Sequence, residues 1–491
     1  MLRARQLAPA TLIGALGAVA MFVRLFVPVP VGLANNGDAA RMMCQFGADA
    51  EAAPQSAAQW YFVRFWYPQI PPDPGCGSYR TSQLLQLRAT SWLHKLFGLP
   101  GVIDMREVMV EDCVLVGLAL GVLGWLLRDL RLWARLLILA GTFLILADAT
   151  FADYAASPYS ESAALIGVLA VAIAGVAVIA GPRRRLAFLV LCAGAVLAVA
   201  AKTEMVTLAV PLALLIGSRK VEWGRLRGRI GARIIPGLGV IAVLASAIWV
   251  TGQEAPHFEL VDVGNEITMT IMPESSDPAA VATELGLPAS FGKYSGSNWW
   301  SPQPIENDPQ FAAYPHVFTR DNLAHYFVAH PESALRVGAG GASFYLAFRV
   351  DYLGTYGVDS GRPSGGQECR FCLLPTVSHA LAGTGIAGLL GYWLLCLVGA
   401  GFLARRSAPN TRRRGFALVS ITLVGVAIIQ YVTAVFGDGN EVTKHLVVAL
   451  FAASLAPLWL LAGALCRRPI PVEPAAEAAE LTEAIPVSPG Q

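Results

Sequence analysis

Apolar runs long enough to cross a bilayer recur along the chain, near 8–28, 108–127, 135–149, 161–181, 186–201, 205–217, 235–251, 382–404, 415–435 and 445–465. A spanning helix takes about 20 mainly apolar residues. The pattern therefore predicts an all-α polytopic membrane protein of about ten transmembrane helices. The pair 186–201 and 205–217 is short and reads as a hairpin of tilted helices or a partly re-entrant one.

The polar stretches between the runs fall into two kinds. MLRARQ at the start, RDLRLWAR (128–135), PRRR (182–185), SRKVEWGRLRGRIGAR (218–233), RRSAPNTRRR (405–414) and CRR (466–468) carry more than half of the 36 Lys and Arg. By the positive-inside rule these face the cytoplasm, with both termini, as expected for a bacterial plasma-membrane protein. The opposite side receives two long segments and three tight turns, near 148–160, 202–204 and 436–444. The chain thus divides into a first transmembrane helix (1–28), a first extracytoplasmic segment with an interfacial helix (29–107), transmembrane helices 2–7 (108–251), a second extracytoplasmic helical domain (252–381), transmembrane helices 8–10 (382–465) and a disordered cytoplasmic tail (466–491). The first run also suits a signal peptide cleaved near Ala34; its length, and Arg24 placed to snorkel outward, favour a spanning helix.

Composition agrees: of 491 residues 55% are hydrophobic and 14% charged, against about 25% charged in soluble domains. The net charge of +2 conceals the asymmetry between the faces, and nucleic-acid binding is excluded as the main function. Cys44 and Cys76, and Cys369 and Cys372, fall in the outer segments, where disulfides are permitted.

The candidate chemistry lies on the outer face. Asp38, in ANNGD just after the first run, is either a helix cap or a general base where membrane meets water. Asp148, Asp153 and Glu161 gather with Tyr154 and Tyr159 in one short turn, where desolvated carboxylates need a partner. Lys202 and Glu204 stand side by side in AKTEM. In FGDGNEVTKHL, Asp438, Glu441, Lys444 and His445 share a turn, and the cations at the start of the tenth helix oppose its dipole, which predicts a bound anion such as phosphate. On 83–97, Leu85, Ala89, Trp92, Leu93, Leu96 and Phe97 form one apolar arc, suited to lying in the interface plane or to the core of a small outer domain. Ser276–Asp277–Pro278 reads as a helix start and Gly286 as a stop, while Trp299, Trp300, His325 and His330 suit either a core or a sugar site.

NNGD (35–38), SPYSE (157–161), AKTEM (201–205), LGLP (285–288), YLGTY (352–356) and GDGNEVTKH (437–445) together resemble the integral membrane hexose transferases of bacterial surface-glycan biosynthesis, within the polytopic C-type (GT-C) glycosyltransferase superfamily. The resemblance implies transfer of a hexose from a polyprenyl-phosphate donor to a glycan or lipid acceptor outside the cytoplasmic membrane, with inversion and with Asp38 as catalytic base. A single Asp stands where some branches carry two acids, which bears on any metal requirement.

The residues suit that chemistry. Lys202, Lys444 and Arg41 stand at headgroup height, where a donor phosphate arrives, and Asp38 is the carboxylate to take a hydroxyl proton. Asp148, Asp153 or Glu161 would orient the acceptor or hold Mg or Mn through hard oxygen ligands; Glu204, Asp438, His445 and Tyr159 lend polar support. The competing class is a transporter or flippase, which would place ionisable residues within spans and show two related halves.

Overall fold

A computed structural model describes residues 2–32, 40–48, 65–69, 79–180, 184–221, 228–350, 353–356, 360–363 and 366–466. Asp38, Cys76, Tyr352 and the tail beyond Cys466 lie outside the described residues.

The chain is a helical bundle of the multi-pass membrane type. In order its α-helices are α1 (Leu2–Phe26), α2 (Ala40–Met43), α3 (Gln83–Leu96), α4 (Met105–Leu126), α5 (Leu132–Ala147), α6 (Ala149–Ala152), α7 (Ser160–Ala180), α8 (Arg184–Val199), α9 (Ala209–Gly217), α10 (Gly228–Thr251), α11 (Pro256–Asn265), α12 (Pro278–Glu284), α13 (Arg320–Ala329), α14 (Pro331–Ala347), α15 (Leu373–Leu381), α16 (Gly385–Arg405), α17 (Arg412–Val435), α18 (Val442–His445) and α19 (Val447–Leu465). The strand content among the described residues is one short antiparallel pair, Trp66–Tyr67 against Ile103–Asp104.

Among the described residues, seven helical segments are long and apolar enough to cross a membrane, or eight if α5 and the 149–156 turn, bent by 55°, count as one. This is fewer than the ten expected from the apolar runs. All ten runs are helical, but α8 has only 16 residues, about 24 Å at 1.5 Å per residue, and the following Thr203–Gly217 segment is also short. Both are shorter than the roughly 20 residues of an upright crossing.

At the centre, α17 and α19 pack against α7. Trp459 of α19 is fully buried and its indole N–H donates to the Ala172 carbonyl at 2.9 Å. Pro457 lies inside α19 and supplies no N–H for the carbonyl of Ala453 four residues back; the Tyr392 hydroxyl of α16 donates to that oxygen at 2.6 Å instead. Small residues let the outer pairs close up. A Cβ on Gly117 would lie 2.6 Å from the Gly14 carbonyl oxygen, and one on Gly167 as near to that of Gly194, so α1 meets α4, and α7 meets α8, nearly backbone to backbone. Large apolar side chains such as Leu16, Ile248 and Leu395 point away from the protein, as a lipid-facing surface requires.

Helix α3 is inverted relative to an amphipathic helix of a soluble protein. Its polar side docks on α4 and the residues leading into it: Gln86 donates to Asp112 at 2.7 Å, His94 contacts Glu107 at 2.9 Å, and the Ser91 hydroxyl donates to the Val102 carbonyl at 3.0 Å. Leu85, Trp92, Leu96 and Phe97 are left exposed. The predicted apolar arc therefore faces outward rather than into a core. Leu84 and Leu87, which depart from that arc, are buried.

Candidate functional site

The three tight turns expected on one face meet at one mouth of the bundle. Glu161 opens α7, Lys202 follows α8, and α18 leads into α19, and their side chains join in one buried cluster. Lys202 Nζ lies 3.2 Å from Glu161 Oε1 and 2.8 Å from Glu204 Oε1. His445 Nδ1 is 2.8 Å from Glu204 Oε2, and its Nε2 is 3.0 Å from Asp438 Oδ2. Carboxylates facing both ring nitrogens favour the imidazolium form of His445. Burial works against its charge, but the Glu204 carboxylate and the hydrogen bonds from Asp438 and Glu204 raise its pKa to about 10. Lys202 stands 3.1 Å from the same Nδ1, so two adjacent cations are held together by three carboxylates.

The cations at the head of the tenth helix have carboxylate partners within the protein. Glu441 adopts a left-handed backbone (φ 50°), which swings its carboxylate onto Lys444, three residues on. The ammonium also lies 5.3 Å from the Tyr159 ring centre, and Lys444 is 1% exposed. The glycine of GDGN has a local reason: Gly439 has φ +67°, and a Cβ there would meet Glu266 Cα at 2.7 Å and the Asn265 carbonyl oxygen at 2.8 Å.

The acids of the 148–161 turn do not form one site. Asp148 Oδ1 accepts from the Thr150 N–H at 3.0 Å and its Oδ2 from the Leu374 N–H at 2.9 Å. It caps α6 and ties the α5–α6 bend to α15. Asp153 faces Arg349 at 2.6 Å, and only Glu161 reaches the Lys202 cluster. Arg24 does not snorkel: it donates to the Ala147 carbonyl at 2.8 Å and pairs with buried Glu368 at 2.9 Å.

For a divalent cation, the described residues that come within reach of one another are Glu204, Asp438 and His445, not Asp148, Asp153 and Glu161. A metal would have to take the ring proton that His445 donates to a carboxylate. Two carboxylates and one imidazole are a donor set that a divalent cation such as Mn can use in place of that proton. The base candidate Asp38 is outside the described residues, as is the side chain of Arg41. Helix α2 begins two residues after Asp38 and is linked through the start of α3 to the end of α8: the Thr81 hydroxyl donates to Met42 Sδ at 3.4 Å, and the neighbouring Ser82 N–H donates to the Ala200 carbonyl at 2.9 Å, two residues before Lys202.

The outer domain contributes residues that the motifs did not single out. Asn265 donates to Asp438 at 3.3 Å and accepts from the Trp299 N–H at 2.8 Å. Arg320 pairs with Asp262 at 3.1 Å and Glu254 at 3.5 Å, and Thr203 donates to Glu254 at 3.3 Å. Glu266, at the start of a π-helical turn, is fully buried, and the Thr270 side chain beside it only partly offsets that burial. Burial and then the nearby Asp438 charge push its pKa well up, and the same two causes raise Asp262 to about 8. Asp262, Asn265 and Glu266 stand at i, i+3 and i+4 in an otherwise apolar stretch, a one-face polar signal readable in the sequence. Asp277 caps α12 by accepting from Ala279 and Ala280, and Gly286 ends the turn with φ +90°. Trp299 packs on His257 and Phe311 in the domain core, Trp300 is exposed, and His330 stacks on Tyr326. Cys369 and Cys372 form a disulfide; Cys44 is also disulfide-bonded.

No curated protein and no solved structure matches the chain. The model of one family matches residues 2–468. The chain belongs to the YfdI N-terminal transmembrane domain family.

Proposed function

We propose that the protein is a membrane glycosyltransferase that moves a hexose from a polyprenyl-phosphate donor to a glycan or lipid acceptor on the extracytoplasmic face of the bacterial plasma membrane. The observation that carries this reading is the convergence of Glu161, Lys202, Glu204, Asp438, Lys444 and His445, from three distant turns, at the mouth of an apolar bundle. A lipid-linked donor enters from the membrane plane, and the outward apolar arc of α3 is suited to lie in that plane. Its phosphate is met by Lys202 and Lys444, with Arg41, in competition with their present carboxylates. A hydroxyl of the acceptor attacks the anomeric carbon and gives its proton to Asp38; the bond from that carbon to the phosphate oxygen breaks, and polyprenyl phosphate leaves. A single displacement inverts the anomeric centre. Asp148 holds the turn in shape through its two backbone contacts.

The test is release of polyprenyl phosphate from a lipid-linked hexose by the protein in nanodiscs. Asp38→Asn is expected to slow release about 10²–10⁴-fold, the range for a lost general base, with donor binding retained. Unchanged turnover removes Asp38 as base. Uptake of the intact substrate into proteoliposomes without bond cleavage replaces the transferase reading with a transporter.

A further inference from the structure

A second polar feature lies behind the ion cluster. A small cavity is lined by Thr150, Asp153 and Tyr154 on one side, Phe348 and Arg349 on another, and Thr443 of α18 on the third. Three buried polar atoms of these lining residues have no hydrogen-bond partner among the described residues: Thr150 Oγ1, Asp153 Oδ1 and Arg349 Nε. Buried polar groups are nearly always paired, and leaving three idle around one space is the mark of something that fills it. The space takes a group about the size of one water.

The cavity is built rather than left over. Asp153 Oδ2 is engaged by Arg349 Nη2 at 2.6 Å, which fixes both side chains and turns the other carboxylate oxygen and the guanidinium Nε–H free. Phe348 ends α14 in the left-handed region, φ 62°, an unfavourable backbone for a side chain of this size, and the next residue is Arg349. Gly354, in the LGTY motif, admits no side chain: a Cβ there would lie 2.0 Å from Asp153 Oδ2 and 2.4 Å from Arg349 Nη2. Together the idle atoms offer one acceptor, one donor and one hydroxyl that is either, which is the complement of an alcohol.

Tyr154 connects this space to the ion cluster. Its ring centre is 6.1 Å from that of Tyr159, over which Lys444 sits, and Thr443 is the residue before Lys444. An alcohol in the cavity is thus a tyrosine pair away from the cation that faces the donor phosphate. We infer that the cavity seats one hydroxyl of the transferred hexose, which donates to Asp153 Oδ1 and accepts from Arg349 Nε–H, so that Thr150, Asp153 and Arg349 select the sugar. This rests on the glycosyl-transfer reading above.

The test compares lipid-linked hexose with its monodeoxy counterparts in the nanodisc assay. The natural protein is expected to discriminate against one deoxy position by about 10–10²-fold in kcat/KM, the range for leaving buried polar groups unpaired. Thr150→Val, which keeps the volume, and Arg349→Lys, which keeps the charge beside Asp153, are each expected to bring the two donors within about threefold of each other. Unaltered discrimination in Thr150→Val, with its melting temperature lowered, means that a structural water fills the cavity and overturns the assignment. Equal turnover of all deoxy donors by the natural protein overturns it too, and points to a hydroxyl of the acceptor instead. In both cases transfer itself continues, so glycosyl transfer stands. If no lipid-linked hexose reacts at all, that reading falls and takes the sugar subsite with it.

Discussion

The two ends of the bundle handle charge in opposite ways. At the mouth with the candidate site, each cation faces a carboxylate and is largely buried: Lys202 with Glu161 and Glu204, Lys444 with Glu441, and His445 with Glu204 and Asp438. At the other end, arginines outnumber acids and meet rings and one another. Arg128 lies 4.3 Å from the centre of the Trp125 ring, with Arg412 at 5.9 Å from the same ring, and Arg406 lies over Phe402 at 4.1 Å. Asp129, the acid that pairs with Arg412, is 70% exposed on its side chain. Charges left near water and headgroups set orientation at little expense in stability. Charges pulled out of water need complete pairing, and at this mouth the partners come from turns far apart in the chain.

Breaking one pair at each end separates the two kinds. Lys202→Met leaves Glu161 and Glu204 buried beside His445, and loss of one partner from a buried network costs about 3–5 kcal/mol. Arg412→Met removes a pair whose acid is mostly in water, worth about 0–1 kcal/mol. Urea or thermal unfolding of both variants in the same nanodisc reads the contrast, and equal losses would show that the mouth is no more demanding than the opposite end.

Gly439→Ala tests whether the close approach of the GDGN turn to α11 holds the site together. A Cβ in the left-handed region and against the Asn265 carbonyl is expected to destabilise by about 1–3 kcal/mol. It should also weaken the Asn265 contact to Asp438, seen as a lower midpoint of unfolding. A neutral result would show that the turn relaxes freely.

Two smaller effects sharpen the electrostatics. The folded pKa of His445 lies above its ordinary value of 6.5, at about 10. Its stabilisation is therefore complete below about pH 6.5 and is lost as pH rises toward 10. His445→Gln should flatten that decline in a melting series from pH 6 to 10. Glu266 behaves differently because it has no cation: burial raises its pKa, so the folded state resists ionisation and becomes less stable as pH climbs above the usual carboxylate range. Glu266→Gln is expected to match the natural protein at pH 5 and to exceed it in melting temperature at pH 8. A variant less stable at pH 8 would mean that Glu266 is paired and charged.

Much of this arrangement can be read from local pattern. Apolar runs mark every helix of the bundle, alternation of Arg-rich loops marks its two ends, and Asp277 and Gly286 mark their helix by capping chemistry. What pattern cannot supply is the partner of a charge across the fold. Asp153 meets Arg349, Arg24 meets Glu368, and Asp438 meets Asn265, all far apart in the chain, and no spacing rule joins them. Lys444 is a different case. A cation at a helix start opposes the dipole on paper, whereas the left-handed turn at Glu441 brings its counter-charge from three residues away. The span count differs where helices are short: α5 and α8 have 16 residues each, and the Thr203–Gly217 segment is shorter still.

The most direct test is binding of polyprenyl phosphate itself to the protein in nanodiscs, measured by native mass spectrometry for the natural chain, Lys202→Ala and Arg412→Ala. Affinity is expected to fall at least tenfold in Lys202→Ala and to stay within twofold in Arg412→Ala. Equal affinity in all three, or a loss confined to Arg412→Ala, would contradict a lipid-phosphate site at the mouth where the three turns meet.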